Sequence, residues 1–97
     1  MKVLAGLFEG VEAQTPYGGI SVSWEPVGHA WLKLGARRRR EKTEAGQQRA
    51  VETVTAETRA DPRLTVGRVL RFGGGEWRIE AGETVGGAAI LMLERMR

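Results

Sequence analysis

The sequence predicts an all-β protein, a small six-stranded barrel or sandwich with a long basic loop after the second strand. Three observations lead to this fold class. Glycine makes up 14 of the 97 residues and falls at points typical of turns. Large apolar and small polar residues alternate with period two between Ile20 and Trp24, as in a half-buried strand. The segment from Val51 to Thr58 is rich in β-branched residues, which favour strand over helix.

The first two strands are predicted on either side of a glycine turn. Residues 8–14 alternate in polarity and indicate the first strand, and Gly18 and Gly19 lie in the turn that follows. The second strand begins at Ile20 and continues to Leu34, with Pro26 marking a bulge or a sheet edge within it.

A long loop is predicted over residues 35–48. It contains the most basic stretch of the chain, which runs from Arg37 to Lys42 and carries five positive charges and one negative. Residues 41–50 would also tolerate a helix, so this segment is predicted as loop or helix. The third strand then follows from Val51 to Thr58.

The remaining strands are predicted from turn residues and alternation. Asp61-Pro62 turns the chain, and residues 66–72 form a strand. A tight hairpin at Gly73, Gly74 and Gly75 leads into residues 76–80, where Trp77 and Ile79 share one face. Residues 88–95 form the last strand.

Composition limits the classes of protein to which the chain can belong. With 97 residues, 41% of them apolar, residues 1–97 are expected to form one domain. The absence of cysteine excludes a disulfide framework, a zinc finger and thiol catalysis. No apolar run approaches the length of a signal-peptide core or a membrane span. We therefore expect a cytoplasmically made protein without membrane association.

Motifs for catalysis are not evident. The triple glycine is followed by Glu76-Trp77 instead of the lysine and hydroxyl residue of a phosphate-binding loop. The single His29 has no accompanying nucleophile pattern and cannot define a metal site alone. The acids Glu76 and Glu80 fit a solvated strand face better than a glycosidase pair. We predict no enzyme activity, no cofactor and no metal.

Two groups of residues are candidates for contacts. Trp24, Trp31 and Trp77 are in phase with apolar neighbours, as is Ile79, which predicts core or inter-subunit packing over stacking on bases. The second group consists of Arg37, Arg38, Arg39, Arg40 and Lys42. It is either a solvated loop or an arm that contacts DNA phosphates, because guanidinium groups bind phosphate oxygens without reading base sequence.

A family resemblance covers nearly the whole chain. The residues that carry it are Gly18-Gly19 followed by Trp24 and Trp31; Glu44 with Gln47-Gln48; residues 54–59; and residues 67–79 with Gly74, Trp77 and Ile79. In this order and spacing the sequence resembles the phage head-tail joining family, the connector or stopper subunits of tailed double-stranded DNA phages and gene transfer agents. It departs from the family at Leu4 to Phe8, where members often have a basic opening.

The resemblance implies a structural protein of the virion neck, assembled in the bacterial cytoplasm. Its implied partners are other copies in a ring of 6 or 12, an adaptor or portal-side neck protein, the tail terminator and double-stranded DNA in the channel. It places residues 35–48 toward that channel. A connector and a stopper remain equally compatible with the residues.

Two other functions are compatible with the residues alone. The main alternative is a free-standing small β-barrel that binds nucleic acid through the same arginines and exposed tryptophans. Salt-dependent DNA binding by the isolated monomer would favour it. A regulatory or toxin-antitoxin module that binds another protein has no supporting feature beyond its size.

Overall fold

The computed structural model describes residues 1–96, which form six antiparallel strands. The strands are β1 (Lys2–Gln14), β2 (Ile20–Glu44), β3 (Gln47–Arg59), β4 (Val69–Phe72), β5 (Gly75–Val85) and β6 (Ala88–Arg95). They close into a ring in the order β1-β2-β3-β6-β5-β4, with β4 pairing back onto β1. The predicted fold class, six strands in a small barrel or sandwich, is confirmed. No helix within residues 1–96 is long and apolar enough to cross a membrane.

The prediction of a loop or helix between residues 35 and 50 is wrong. β2 continues through the arginine run to Glu44 and pairs with β3 residue by residue from Arg37↔Val54 to Glu44↔Gln47. Ala45 and Gly46 form the turn, both with positive φ (52° and 78°), as a two-residue hairpin requires. The backbone hydrogen bonds of this hairpin satisfy groups that a loop would leave to solvent.

Several strand bounds also differ from the prediction. β1 begins at Lys2 rather than at Phe8, β4 covers only residues 69–72, and β5 continues to Val85. Gly18 lies in the turn before β2, and Gly73 and Gly74 form the turn before β5. Gly75 is the first residue of β5 and is buried, so only two of the three glycines belong to the turn.

The core lies inside the closed sheet. Trp77 and Ile79 are each 1% exposed, and the Trp77 ring stacks on Phe72 with centroids 5.6 Å apart. Small and aliphatic side chains from the other five strands complete it: Ala5, Leu7, Leu32, Val54, Ala56, Leu70, Ala89, Leu91 and Leu93. Burying a large side chain of this kind contributes about 1.5–3 kcal/mol.

β2 has a bulge on each side of its central part. Leu7 pairs with Gly28 and Phe8 with Pro26, which leaves Val27 as the extra residue, so the predicted bulge near Pro26 is confirmed. At the other end Leu34 pairs with Ala56 and Arg37 with Val54, so β2 again has one residue more than its partner. A bulge reverses the phase of the side chains beyond it.

Beyond these bulges, two ribbons project from the barrel. Residues 9–25 form a ribbon of β1 and β2 only, since β4 pairs with β1 no further than Phe8. Residues 37–52 form a hairpin of β2 and β3, which β6 supports only as far as Thr53↔Glu94. We call these the acidic arm (9–25) and the basic hairpin (37–52). The strands of the acidic arm have six residues each and those of the basic hairpin eight and six, which gives each ribbon a length of about 20–25 Å.

Candidate functional site

The basic hairpin places its four consecutive arginines on two opposite faces. Arg37 pairs with Val54, which pairs with the core residue Leu93, so Arg37 and Arg39 lie on the side of the sheet that faces the core. We call this the inner face. Arg38 and Arg40 lie on the outer face, because side chains alternate along a strand. Only two of the four guanidinium groups can therefore face one ligand.

The bulge at Gly35 decides which arginines are on which face. A Cβ on Gly35 would overlap the Oγ1 atom of Thr55, so a larger residue would force the Thr55 side chain out of its position. Without the extra residue, Arg38 and Arg40 would continue the phase of Leu34 toward the core. Gly35 and its bulge therefore determine that Arg37 and Arg39, and not Arg38 and Arg40, lie on the inner face.

On the inner face, cationic side chains surround the indole of Trp77. The guanidinium carbon of Arg37 lies 5.3 Å from the ring centroid, and that of Arg95 lies 5.9 Å from it. Arg95 also forms an ion pair with Glu52 at 3.8 Å. A depression of about 310 Å³ lies beside them, lined by Arg39, Arg49, Ala50, Val51, Glu52, Arg95 and Met96. Three of its lining residues are basic and one is acidic, so the depression is predominantly positive.

On the outer face, a buried carboxylate fixes Lys42. Glu94 has a side chain that is only 3% exposed, and its oxygens lie 3.4 Å from Lys42 Nζ and 3.6 Å from an Arg49 nitrogen. Arg49 Nε also forms an ion pair with Glu44 at 3.0 Å, without a hydrogen bond from that nitrogen. Lys42 is thus partly neutralised inside the protein, and its role toward DNA remains a prediction.

The arginine run differs from Lys42. Arg37, Arg38, Arg39 and Arg40 are all exposed, and none forms an ion pair with a carboxylate in the described part of the chain. Exposed guanidinium groups without internal counter-charges are free to bind an external anion. Phosphate oxygens suit them because each group offers paired N–H donors.

The predicted packing residues fall into three environments. Trp77 and Ile79 are in the core, whereas Trp24 is half-buried on the acidic arm beside Gly10 and Val22. Trp31 is 63% exposed on β2, opposite Leu4, so it does not pack in the core. The alternative of inter-subunit packing stays a prediction for Trp31.

Sequence reasoning missed three members of this region. Arg49, Glu94 and Arg95 join the arginine run only through the pairing of β2, β3 and β6. No sequence spacing links them to it. His29 is exposed on β2, and residues 1–96 contain no group of three His, Cys, Asp or Glu side chains arranged to hold a metal ion.

Comparisons with known proteins agree with the fold and point to one family. A family model described as phage head completion protein matches residues 7–93. A chain from a solved structure described as the virion of a native gene transfer agent particle is similar to this one with a TM-score of 0.74 and 22% identity. The similarity covers 97% of this chain and 94% of that chain. No curated protein matches significantly.

Proposed function

The chain belongs to the phage head completion protein family, and from this premise we propose that it forms a ring in the virion neck that joins the DNA-filled head to the tail. Membership makes it a structural protein of the phage head-tail neck. The resemblance noted in the sequence is confirmed by the family match, which spans residues 7–93. The ring, of 6 or 12 copies, lies between an adaptor or portal-side neck protein and the tail terminator, as connector or stopper.

The observation that carries a DNA-retaining role is the set of exposed arginines without internal counter-charges on a projecting hairpin. In a ring, residues 35–48 of every subunit face the channel. Each subunit contributes guanidinium groups from one face of its hairpin. Together these groups form a positive collar whose field attracts a polyanion even where single contacts are weak.

The mechanism is architectural and needs no chemical step. Double-stranded DNA presents phosphates at regular intervals, and arginine binds them without regard to base sequence. A rigid two-stranded hairpin holds its guanidinium groups in place better than a flexible loop, because less conformational entropy is lost on binding. The collar therefore holds any packaged sequence until the tail is attached.

Electron microscopy of particles from a strain that lacks the gene tests the joining role. We expect heads and tails to accumulate separately, and normal particles would exclude the role. Normal particles together with salt-dependent DNA binding by the isolated monomer would instead support the free-standing nucleic-acid-binding barrel.

A second strain tests DNA retention. It carries Arg37, Arg38, Arg39 and Arg40 all replaced by alanine, and we expect a larger fraction of empty heads. The control replaces three exposed basic residues outside the hairpin, Lys2, Lys33 and Arg59, and keeps heads full. Equal DNA retention in the two strains would exclude the arginine collar.

A further inference from the structure

The two projecting ribbons carry opposite charge. The acidic arm contains Glu9, Glu12 and Glu25 and no lysine or arginine, which gives a net charge of −3. The basic hairpin has six basic and three acidic residues, for a net charge of +3. They continue from opposite ends of the central part of β2. No ion pair within residues 1–96 joins the two ribbons.

The acidic arm has unsatisfied charge at its base. Glu9 and Glu25 are directly paired across the two strands, and like charges in this position destabilise a sheet. Arg68 donates a hydrogen bond to Glu9 at 3.2 Å. Glu25 is exposed and forms no ion pair within residues 1–96. A cation from outside the chain would relieve this repulsion, which lies on the face of the arm opposite to Glu12 and Val22.

One face of the acidic arm is also apolar without contributing to the core. Ile20 is 69% and Val22 52% exposed, and the half-buried Trp24 lies on the same face, where these three pair with Gln14, Glu12 and Gly10. Exposed apolar residues aligned on a ribbon favour burial against a partner. The partner surface should combine apolar area with positive charge to match Glu12.

The outer face of the basic hairpin has this combination. Arg38 and Arg40 project from it, and their aliphatic stems offer apolar surface beneath the charged groups. A depression of about 220 Å³ lies at its base, lined by Ala36, Arg38, Thr53, Val54, Thr55 and Met92. Met92 is 41% exposed there.

We propose that the acidic arm of one copy docks on the outer face of the basic hairpin of the next copy. This inference rests on the proposed ring and names its interface. Because the two surfaces are different and lie at opposite ends of β2, the contact is heterologous and can repeat around a closed ring. Complementary charge fixes which surfaces meet.

The docking divides the arginine run between two tasks. Arg38 and Arg40 are used by the neighbouring subunit, and Arg37 and Arg39 remain available on the inner face. Because side chains alternate along β2, one face of the strand provides the interface and the other provides the collar for DNA. Charge reversal at Arg38 and Arg40 should therefore impair assembly of the ring, whereas charge reversal at Arg37 and Arg39 should impair DNA retention.

Charge reversal in a producing strain tests the proposal. We expect Arg38→Glu with Arg40→Glu, or Glu12→Arg on the apolar face of the arm, to reduce the fraction of joined particles at least tenfold. Combining the two sets should restore it to within about twofold. The matched control, Arg37→Glu with Arg39→Glu, should increase empty heads and should not be rescued by the reversed arm. Failure of the combined variant to restore joining, with all variants folded by circular dichroism, would overturn the docking.

Crosslinking gives a second test that does not depend on assembly yield. The chain has no cysteine, so Val22→Cys together with Arg40→Cys introduces one thiol on each proposed surface. A bifunctional thiol reagent applied to particles should give a ladder of multimers of this chain, and each single variant should give at most dimers. Absence of the ladder, or crosslinks to a different neck protein, would exclude the contact between copies.

The two proposals fail in distinguishable ways. If the strain without the gene makes normal joined particles, the neck function itself is wrong. If that strain separates heads from tails but the reversed variants join normally, only the docking of the acidic arm is wrong.

Discussion

The guanidinium carbon of Arg37 lies 5.3 Å from the centroid of the buried Trp77 ring. This contact ties the first arginine of the basic hairpin to the core of the barrel. Arg38, the next residue, projects from the opposite face. Comparing substitutions of Arg37 and Arg38 therefore separates the effect of the contact with Trp77 from the effect of losing one positive charge.

Arg37→Ala is expected to lower the free energy of unfolding by about 0.5–1 kcal/mol, the usual value of an exposed cation–π contact. Arg38→Ala removes the same charge without this contact and should change stability by less than about 0.5 kcal/mol. Urea unfolding followed by tryptophan fluorescence measures both. Equal effects of the two substitutions would show that the contact with Trp77 contributes nothing.

Gly35→Ala is expected to destabilise the protein by about 1–3 kcal/mol, because the new Cβ would overlap the Oγ1 atom of Thr55. Combining it with Thr55→Ala removes that atom and should recover most of the loss. Gly87→Ala is the control, since a Cβ there meets nothing within 4 Å. Additive effects of the Gly35 and Thr55 substitutions in a double-mutant cycle would contradict this close approach.

Asp61 is expected to make stability depend on pH in the acid range. Its hydrogen bonds and ion pair with Arg63 lower the pKa of the carboxyl from 3.8 to about 2. A carboxyl with a lowered pKa in the folded state contributes stability that is complete above the unfolded value. That stability is lost as the pH falls from about 4 toward 2.

Thermal unfolding at several pH values checks this dependence. Asp61→Asn should lower the melting temperature at pH 7, and its difference from the unaltered protein should shrink as the pH falls below 4. The asparagine keeps an acceptor for the Arg63 backbone N–H, which Asp61 Oδ1 accepts at 2.9 Å. A difference that stays constant from pH 7 to pH 2.5 would exclude a contribution from the carboxylate charge.

Either Lys42 or Arg49 alone is expected to be a sufficient counter-charge for the buried Glu94 carboxylate. Lys42→Met alone should cost at most about 1 kcal/mol, because Arg49 still lies 3.6 Å from the carboxylate. Lys42→Met with Arg49→Met should cost more than the sum of the single effects, since it leaves a buried carboxylate without a counter-charge. Adding Glu94→Gln to that pair should recover part of the loss, as measured by urea unfolding. Strict additivity would argue against a shared buried carboxylate.

The sequence was sufficient for strands that bury one face. Ile79 and Trp77 alternate with polar residues, and both are in the core as the alternation predicts. The turn at Gly73-Gly74 follows from the positive φ that only glycine adopts freely. Elements of this kind can be predicted because residues that are close in sequence determine them.

The basic hairpin could not be predicted in this way. Four consecutive arginines show no alternation, so nothing local indicates a strand. The strand forms because β3 offers a continuous partner and Ala45-Gly46 completes the turn. The exposure of Trp31 could not be predicted from the sequence either. It is in phase with apolar neighbours, yet its side chain is 63% exposed on β2. Burial depends on which face the closed sheet encloses.

The closure between β1 and β4 has a consequence for folding kinetics. Gly6 pairs with Arg71, about 65 residues away along the chain, so the ring closes only after most other strands have formed. Until then two strand edges are open to pairing with other chains. Newly made subunits at high concentration are thus exposed to aggregation before closure, and slow, dilute refolding should recover more native protein than rapid, concentrated refolding.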